Sequence, residues 1–308
     1  LHYPLRRQRQ MCIRDRAELE GIRGNEISMI FQEPMTSLNP LFTVGEQVSE
    51  VIRRHKNLNK EKAWASAVEL LDAVKIPNPD KRAFDYPFQL SGGQRQRVMI
   101  AMALACQPRL LIADEPTTAL DVTTQAQILR LIKNLQSERK MALLFISHDL
   151  DVVGFLADRV VIMYAGEVVE DLPVEQLESP AHPYTIALQQ ARPRPGKANV
   201  DFEPIPGVLP QPGSILIGCR FRDRCAKANK QCEINPPWQG HNHQHQVRCW
   251  HPKNYKREFN GYNDSRKSRF SLGYKRSISI LCSSSGLLSQ GKWQRGTCSL
   301  TQRTSNRK

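Results

Sequence analysis

Four polar residues each come directly after a short apolar run. Gln32 follows EISMIF, Asp114 and Glu115 follow LLIA, and His148 follows ALLFIS. The runs have the length and composition of buried strands. In parallel α/β sheets, ligands bind at the carboxyl ends of the strands. We therefore expect three separate segments of the chain to converge on one site.

These four residues have the chemistry of a metal-assisted hydrolysis. A carboxylate at a strand end, here Asp114, can bind Mg²⁺ directly or through water. A second carboxylate beside it, Glu115, can act as a general base on water. His148 could contact a terminal phosphate, and Gln32 could orient water or bind the metal. The alternatives are an acid pair that caps a helix and a solvated His or Gln.

A second candidate site lies in FQLSGGQRQRVMIAMAL, where Ser91 and two glycines precede an apolar helix pattern. Glycines allow the backbone to approach a ligand closely, and the first turn of a helix offers free N–H groups to an anion. The Ser91 hydroxyl adds a donor. A simple Ser-capped helix start is the alternative interpretation.

The elements around these residues alternate between strand and helix. We predict strands at 26–32, 110–113 and 142–147, helices at 61–74 and 93–106, a helix capped by Asp121, and a hairpin over 160–169 turning at Ala165-Gly166. Such alternation predicts an α/β fold with a parallel sheet.

In this order and spacing, the motifs resemble the ATP-binding-cassette (ABC) ATPase family over roughly 17–180. The resemblance implies a P-loop NTPase-type α/β core with a helical subdomain at about 42–107, ATP and Mg²⁺ as ligands, and two homologous subunits packed head to tail. It implies that Glu115 and His148 are catalytic. The implied nucleotide-binding residues are Gln32, Asp114 and the D-loop Asp121 together with the signature Ser91, Gly92, Gly93 and Gln94, of which Ser91 and Gly93 face the partner's γ-phosphate.

The family's phosphate loop, G-x-x-x-x-G-K-[ST], is expected several dozen residues before Gln32. Only 31 residues precede Gln32, and none of them match. Gly286–Trp293 (GLLSQGKW) nearly fits, but Trp293 replaces the hydroxyl that should reach Mg²⁺ and the order along the chain is wrong. We therefore expect an incomplete core, N-terminally truncated, that lends its signature to a partner and does not bind ATP at its own site.

The net charge of +14 belongs to the ends of the chain. Residues 1–16 carry +4 and residues 255–308 carry +10, whereas 17–254 hold 27 bases and 27 acids. We predict a non-native leader at 1–16 and a disordered or non-native tail at 255–308. A basic end can bind nucleic acid, but these ends have no aromatic–basic motif, and we expect no nucleic-acid partner. No run approaches the ~20 apolar residues of a membrane-spanning helix.

Four longer motifs, FQEPMTSLNP, ALDVTTQAQI, MYAGEVVE and SPAHPYTIAL, are similar to the oligopeptide/dipeptide (and nickel) importer branch of the family. That resemblance implies a peripheral subunit on the cytoplasmic side of the inner membrane. It would energise two permease subunits, which an external peptide-binding protein supplies with cargo. PMTSLNP would lie near the contact with the permease, although a Pro-bounded loop is the alternative.

Cys219, Cys225, Cys232 and Cys249 lie in a C-terminal extension, predicted at 181–254, with five, six and sixteen residues between them. Residues 1–16 contain arginines but no apolar region typical of an export signal, which favours thiols or metal ligands over disulfides. Four thiolates suit zinc and iron–sulfur equally, and four unligated thiols are a third possibility. The importer resemblance implies a [4Fe–4S] cluster. His241, His243 and His245 could bind zinc or belong to a solvated loop.

Two other functions fit parts of the pattern. A soluble ABC ATPase that acts on nucleic acid or ribosomes would share the motifs of 17–180, but the cysteine extension and the HPYT segment argue against it. An inert fragment is the other alternative.

Overall fold

The computed structural model describes residues 16–118, 120–191, 204–211, 217–241, 244–253 and 277–282. The strands are β1 (Ile27–Ile30), β2 (Leu110–Asp114), β3 (Ala142–Ser147), β4 (Arg159–Tyr164), β5 (Glu167–Pro173), β6 (Trp238–His241), β7 (His245–Arg248) and β8 (Ser277–Cys282). The α-helices are α1 (Arg16–Ile22), α2 (Pro34–Ser37), α3 (Val44–Lys56), α4 (Lys60–Ala73), α5 (Pro79–Arg82), α6 (Gly92–Leu104), α7 (Val122–Arg139), α8 (Leu150–Leu156) and α9 (Pro183–Gln190).

All the described strands belong to one sheet in the order β1-β2-β3-β8-β4-β5-β7-β6. The five strands from β1 to β4 in this order run parallel, which confirms the predicted α/β class. The other half is antiparallel, so the sheet is mixed. The predicted hairpin is present, because β4 and β5 pair antiparallel around Ala165 and Gly166, with φ 47° and 80°. Positive φ at both residues suits the tight turns that join twisted strands.

The prediction that the first strand is buried is wrong for one of its faces. Ser28 and Ile30 are buried, whereas Ile27 and Met29 remain 40% and 38% exposed. β1 is an edge strand, and alternate side chains of a strand point to opposite faces of its sheet. The apolar run at 26–32 therefore indicates only that one face of β1 packs against the core.

Helices α3 to α6 lie within the predicted helical subdomain. The sequence analysis missed α3, although Thr43 caps it by accepting from Glu46 N and its apolar residues share one face. Val44, Val48 and Ile52 belong to the same core cluster as the buried residues of α4 and α6. Packing of such faces, more than helix propensity, stabilises short helices.

The C-terminal extension continues the core sheet. β7 pairs antiparallel with β5, and β6 pairs with β7. The Phe221 ring packs against two tyrosine rings, with 5.2 Å between the ring centroids of Phe221 and Tyr164 and 5.3 Å between those of Phe221 and Tyr184. Sheet pairing and aromatic packing thus hold residues 217–253 against β4, β5 and α9.

Six residues of the predicted tail form β8, which pairs parallel with β3 and β4. This differs from the expectation that the tail lacks structure. The alternating residues SISI are typical of a strand. In the sheet, β8 occupies the position between β3 and β4. The rest of the tail from 254 on, the predicted leader up to residue 15, Ala119 and His243 lie outside the described residues. Among the helices described, none has the length and apolar content needed to cross a bilayer.

Candidate functional site

Glu115 is at the centre of the first predicted site. Its Oε2 accepts a hydrogen bond from Gln32 Nε2 at 2.9 Å, and its Oε1 lies 3.1 Å from His148 Nδ1. Thr118 Oγ1 also donates to Oε2, at 3.1 Å. The predicted convergence of Gln32, Glu115 and His148 is confirmed. The sequence analysis missed Thr118, although its position three residues after Glu115 in a turn was a usable signal.

The backbone at Glu115 is held in an unusual conformation. Its φ is +43°, a region that non-glycine residues seldom occupy. Its N–H donates to Ile146 O at 3.0 Å, which ties the end of β2 to β3. The side chain is only 12% exposed, whereas that of His148 is 59% exposed. The carboxylate is therefore fixed, and the imidazole lies at the surface of the site.

Asp114 is the last residue of β2 and pairs in register with Ile146. Burial raises the pKa of the Asp114 carboxyl, and the neighbouring charge of Glu115 raises it further. Two adjacent carboxylates repel each other unless a cation lies between or beside them. This electrostatic arrangement suits Asp114 to Mg²⁺, for which carboxylate oxygens are preferred ligands.

The signature residues line a separate open cleft of about 470 Å³. Ser91 caps α6: its Oγ accepts from Gln94 N, and Gln94 Oε1 accepts from Ser91 N. The alternative interpretation, in which Ser91 caps the start of a helix, is therefore confirmed. The cleft also reaches Asp121 and the basic residues Lys75 and Arg97. No hydrogen bond between the described residues joins this cleft to the Glu115 group.

Gly93 has no room for a side chain. A Cβ there would lie 2.6 Å from Thr124 Cγ2 on α7, whereas at Gly92 the nearest atom would be Leu120 Cδ2 at 3.9 Å. Asp121 caps α7 as predicted, accepting from Thr124 N at 2.9 Å. Hydrogen bonds from Thr124 lower the pKa of Asp121. The start of α7 therefore sets the width of the cleft.

The four predicted cysteines line one cavity, which is also bordered by His182, Pro183, Phe221, Lys227, Trp250 and His251. Cys219 N donates to Cys232 O at 2.8 Å, which brings two of the thiols together. This crossing requires Gly218, because its φ is +84° and a Cβ would lie 2.4 Å from Cys232 O.

One backbone N–H group reaches a sulfur atom, because His251 N donates to Cys249 Sγ at 3.3 Å. Burial raises the pKa of the Cys219, Cys225 and Cys249 thiols, that of Cys249 to about 12. A positively charged metal group would reverse this balance and stabilise the thiolates.

Within the described residues, no three His, Cys, Asp or Glu side chains are close enough to bind a single metal ion. Four thiolates around one zinc at 2.3 Å must lie about 3.8 Å from one another. In a [4Fe–4S] cluster each thiolate binds a different iron, so the ligands are spread more widely. Four cysteine thiols that line one cavity form a donor set that suits either zinc or a [4Fe–4S] cluster. His241 and His245 pair with each other at the turn end of the β6–β7 hairpin, and neither lines this cavity.

The sequence analysis missed a buried group beside the cavity. The Glu170 side chain on β5 is fully buried, and its carboxylate accepts from Ala181 N at 2.6 Å and from His182 N at 3.3 Å. His245 Nε2 lies 2.7 Å from the same carboxylate. His182 is 1% exposed, and burial lowers its pKa to about 4. In the sequence, the only indication of this buried group was the presence of polar residues such as Glu170 within the apolar pattern of β5.

Comparison with known proteins gives two family matches. A family described as ABC transporter matches residues 10–118, and one described as the oligopeptide/dipeptide transporter C-terminal region matches 169–232. The first match contains Gln32, the signature and Glu115. The second contains Glu170, His182 and the first three cysteines of the cavity.

Three relatives show how far the similarity extends. A putative peptide import ATP-binding protein of Brucella melitensis is 50% identical over 243 residues, which are 76% of this chain and 72% of the relative. The oligopeptide transport ATP-binding protein OppD of Haemophilus influenzae is 50% identical over 235 residues, covering 76% and 73%. The probable D,D-dipeptide transport ATP-binding protein DdpD of Escherichia coli is 47% identical over 239 residues, covering 77% and 73%.

Proposed function

The chain belongs to the peptide import ATP-binding proteins of the ABC transporter family, and on this basis we propose that it hydrolyses ATP to energise peptide uptake. The observation that carries the proposal is the position of Glu115. Its carboxylate is anchored at the end of β2 between Gln32 and His148.

In the proposed reaction, Glu115 accepts a proton from the attacking water, because a carboxylate held in a fixed position within reach of water can act as a general base. His148 contacts the terminal phosphate and stabilises the charge that develops there. Asp114 and Gln32 would hold Mg²⁺, which supplies charge neutralisation at the phosphates. Glu115 and Gln32 are already in contact, so metal and water would be aligned by the same hydrogen bond.

We also propose a head-to-tail pair with a homologous ATPase. The signature cleft and the Glu115 group are on different elements of this chain, as a shared interface would require. The α6 N-terminus and the nearby Lys75 and Arg97 make the cleft suitable for a partner's phosphate groups.

For membrane attachment, we propose a docking surface for the two permease subunits on the helical subdomain. Its members are exposed apolar side chains close to one another: Leu41, Phe42, Phe84, Tyr86 and Phe88. Val44 N donates to Asp85 O, which holds the two segments together. Exposed clusters of this kind mark protein interaction sites. The neighbouring PMTSLNP segment supports this location, and docking here would keep the subunit on the cytoplasmic side of the membrane.

For the cavity of Cys219, Cys225, Cys232 and Cys249, we propose a [4Fe–4S] cluster in preference to zinc. The support is the set of four thiols that line one cavity, the hydrogen bond from His251 N to Cys249 Sγ, and the resemblance to the importer branch, which implies a cluster. The cluster would cross-link the loop at 217–232 to the end of β7.

The test of ATP hydrolysis is Glu115→Gln, measured as phosphate release by the subunit assembled with its partner ATPase and permease pair. We expect a loss of about 10²–10³-fold with ATP binding retained, because one preorganised catalytic group is removed. Glu69→Gln, an exposed change on α4, is the matched control and should leave turnover unchanged. Unchanged turnover in Glu115→Gln would contradict catalysis at this site.

The expectation of a truncated chain that only lends its signature stays a prediction, and the same assay separates it from the proposal. Under that expectation, Glu115→Gln has no effect, whereas altering the signature residues lowers hydrolysis at the partner's site.

A further inference from the structure

The His182 imidazole is buried with one of its two nitrogens satisfied. The residue caps α9, and its Nδ1 accepts a hydrogen bond from Tyr184 N at 3.0 Å. Its backbone N–H is used as well, donating to Glu170 Oε2. The ring is further fixed against Phe221, with 6.1 Å between ring centroids.

The hydrogen bond at Nδ1 determines the tautomer. A nitrogen that accepts a hydrogen bond carries no proton, so the proton of the neutral ring is on Nε2. Among the described residues, His182 Nε2 has no hydrogen-bond partner although it is shielded from solvent. A buried donor without a partner costs about 1–3 kcal/mol. Such an atom indicates an acceptor that belongs at this place.

The surroundings of His182 show which acceptor that is. The side chain borders the cavity lined by the four cysteines. One of the four sulfurs, Cys249 Sγ, already accepts a hydrogen bond from a backbone N–H, that of His251. An inorganic cluster would add further sulfur acceptors within the same cavity.

We propose that His182 Nε2–H donates a hydrogen bond to a sulfur atom of the cluster, which makes the H-P-Y segment (182–184) part of the cluster site. This inference rests on the cluster assignment proposed above. His182 is a positioning residue and not a ligand. To bind iron through Nε2 it would need its proton on Nδ1, facing the N–H of Tyr184.

The proposed hydrogen bond would connect the cluster to the ATPase core. His182 and Ala181 are both bound through their backbone to Glu170, and Glu170 belongs to β5 of the central sheet. A change in the charge of the cluster sulfur would therefore be transmitted to β5 through His182 and the carboxylate of Glu170.

The test uses the full chain, purified without oxygen and reconstituted with iron and sulfide. His182→Asn retains an acceptor for Tyr184 N–H but removes the Nε2 donor. We expect unchanged iron and sulfide contents and a midpoint potential shifted to more negative values, because hydrogen bonds to the sulfurs favour the reduced cluster. His251 borders the same cavity and its Nε2 is also buried without a partner among the described residues, so His251→Asn is measured separately and shows whether this second nitrogen donates as well.

A measurement on the unmutated protein covers the case in which His182→Asn fails to fold. With isotope-labelled histidine, electron–nuclear double resonance of the reduced cluster should show a weak nitrogen coupling and an exchangeable proton. A strong coupling would mean direct ligation and would overturn the donor role. An unchanged potential and spectrum in folded His182→Asn would overturn it as well. A wild-type chain that takes up no iron and sulfide would instead refute the cluster assignment.

Discussion

At the scale of single residues, the site concentrates strain and charge at the end of β2. Glu115 has a left-handed backbone, and such outliers persist where neighbouring contacts over-determine them. Here the contacts are Ile146 O at the main chain and Gln32, Thr118 and His148 at the carboxylate. Glu115 is therefore placed by the fold and not by its own conformational preference.

Asp114 should destabilise the metal-free protein. Because its folded pKa is raised, the protein is most stable when this carboxyl is protonated, and that stability is lost as the pH rises through the folded pKa. We predict that Asp114→Asn raises the midpoint of thermal unfolding at pH 7 without Mg²⁺ and abolishes the gain from added Mg²⁺–ATP. Asp72→Asn, an exposed change on α4, is the control. A lower midpoint for Asp114→Asn would contradict this reading.

Sequence reasoning worked for residues whose position follows from strand order. Gln32, Glu115 and His148 each follow a strand, and parallel strands end at one edge. It failed for Glu170, because the partners of this carboxylate at 181, 182 and 245 lie 11, 12 and 75 residues further along the chain and meet it only in the folded structure.

At the scale of elements, the signature depends on how closely α6 approaches α7. The strands β2 and β3 and the helices α4, α6 and α7 could be predicted from apolar periodicity and capping residues. The exposed face of β1 could not, because an edge position depends on which strand is its neighbour. Helix α3 could have been found from its Thr43 cap and apolar spacing.

Gly93→Ala should push α6 and α7 apart, because its Cβ would overlap Thr124 Cγ2. We predict a loss of about 1–3 kcal/mol of unfolding free energy in urea denaturation, the usual cost of overpacking. Gly92→Ala, which has room for a Cβ, should cost little. The double variant Gly93→Ala/Thr124→Ser lacks the Thr124 Cγ2 methyl group, so its unfolding free energy should return to that of the unmutated protein. Hydrolysis at the partner's site should nevertheless stay low if the signature backbone must approach a phosphate. Stability that does not return in the double variant would refute the steric account.

At the scale of the whole molecule, Glu170 joins the core sheet to two segments of the extension, the backbone at 181–182 and strand β7. It is the fully buried acceptor for the backbone at 181–182 and contacts His245 on β7. Such a connection cannot be anticipated from composition, and the same is true of β8, whose place in the sheet depends on segments far away in sequence.

Glu170→Ala should therefore weaken the attachment of the extension. Removing one partner from a buried charged network typically costs about 3–5 kcal/mol, and we expect a loss of this size in urea denaturation, with faster proteolysis of the extension. Glu170→Gln keeps one carbonyl oxygen and should be milder. A loss below about 1 kcal/mol for Glu170→Ala would show that the extension is held by Phe221 and the β5–β7 pairing alone.

The position of β8 has a consequence for biosynthesis. Among the described strands, β1, β2 and β3 are joined to the other half of the sheet by β8 alone, which pairs with β3 on one side and β4 on the other. β8 lies about 130 residues after the end of β3, which takes a ribosome roughly 6–26 s to translate. During that interval the nascent chain holds two half-sheets with facing open edges, and such edges favour pairing with other chains. Chaperone capture during translation should therefore peak after β4 has emerged and fall once β8 leaves the exit tunnel.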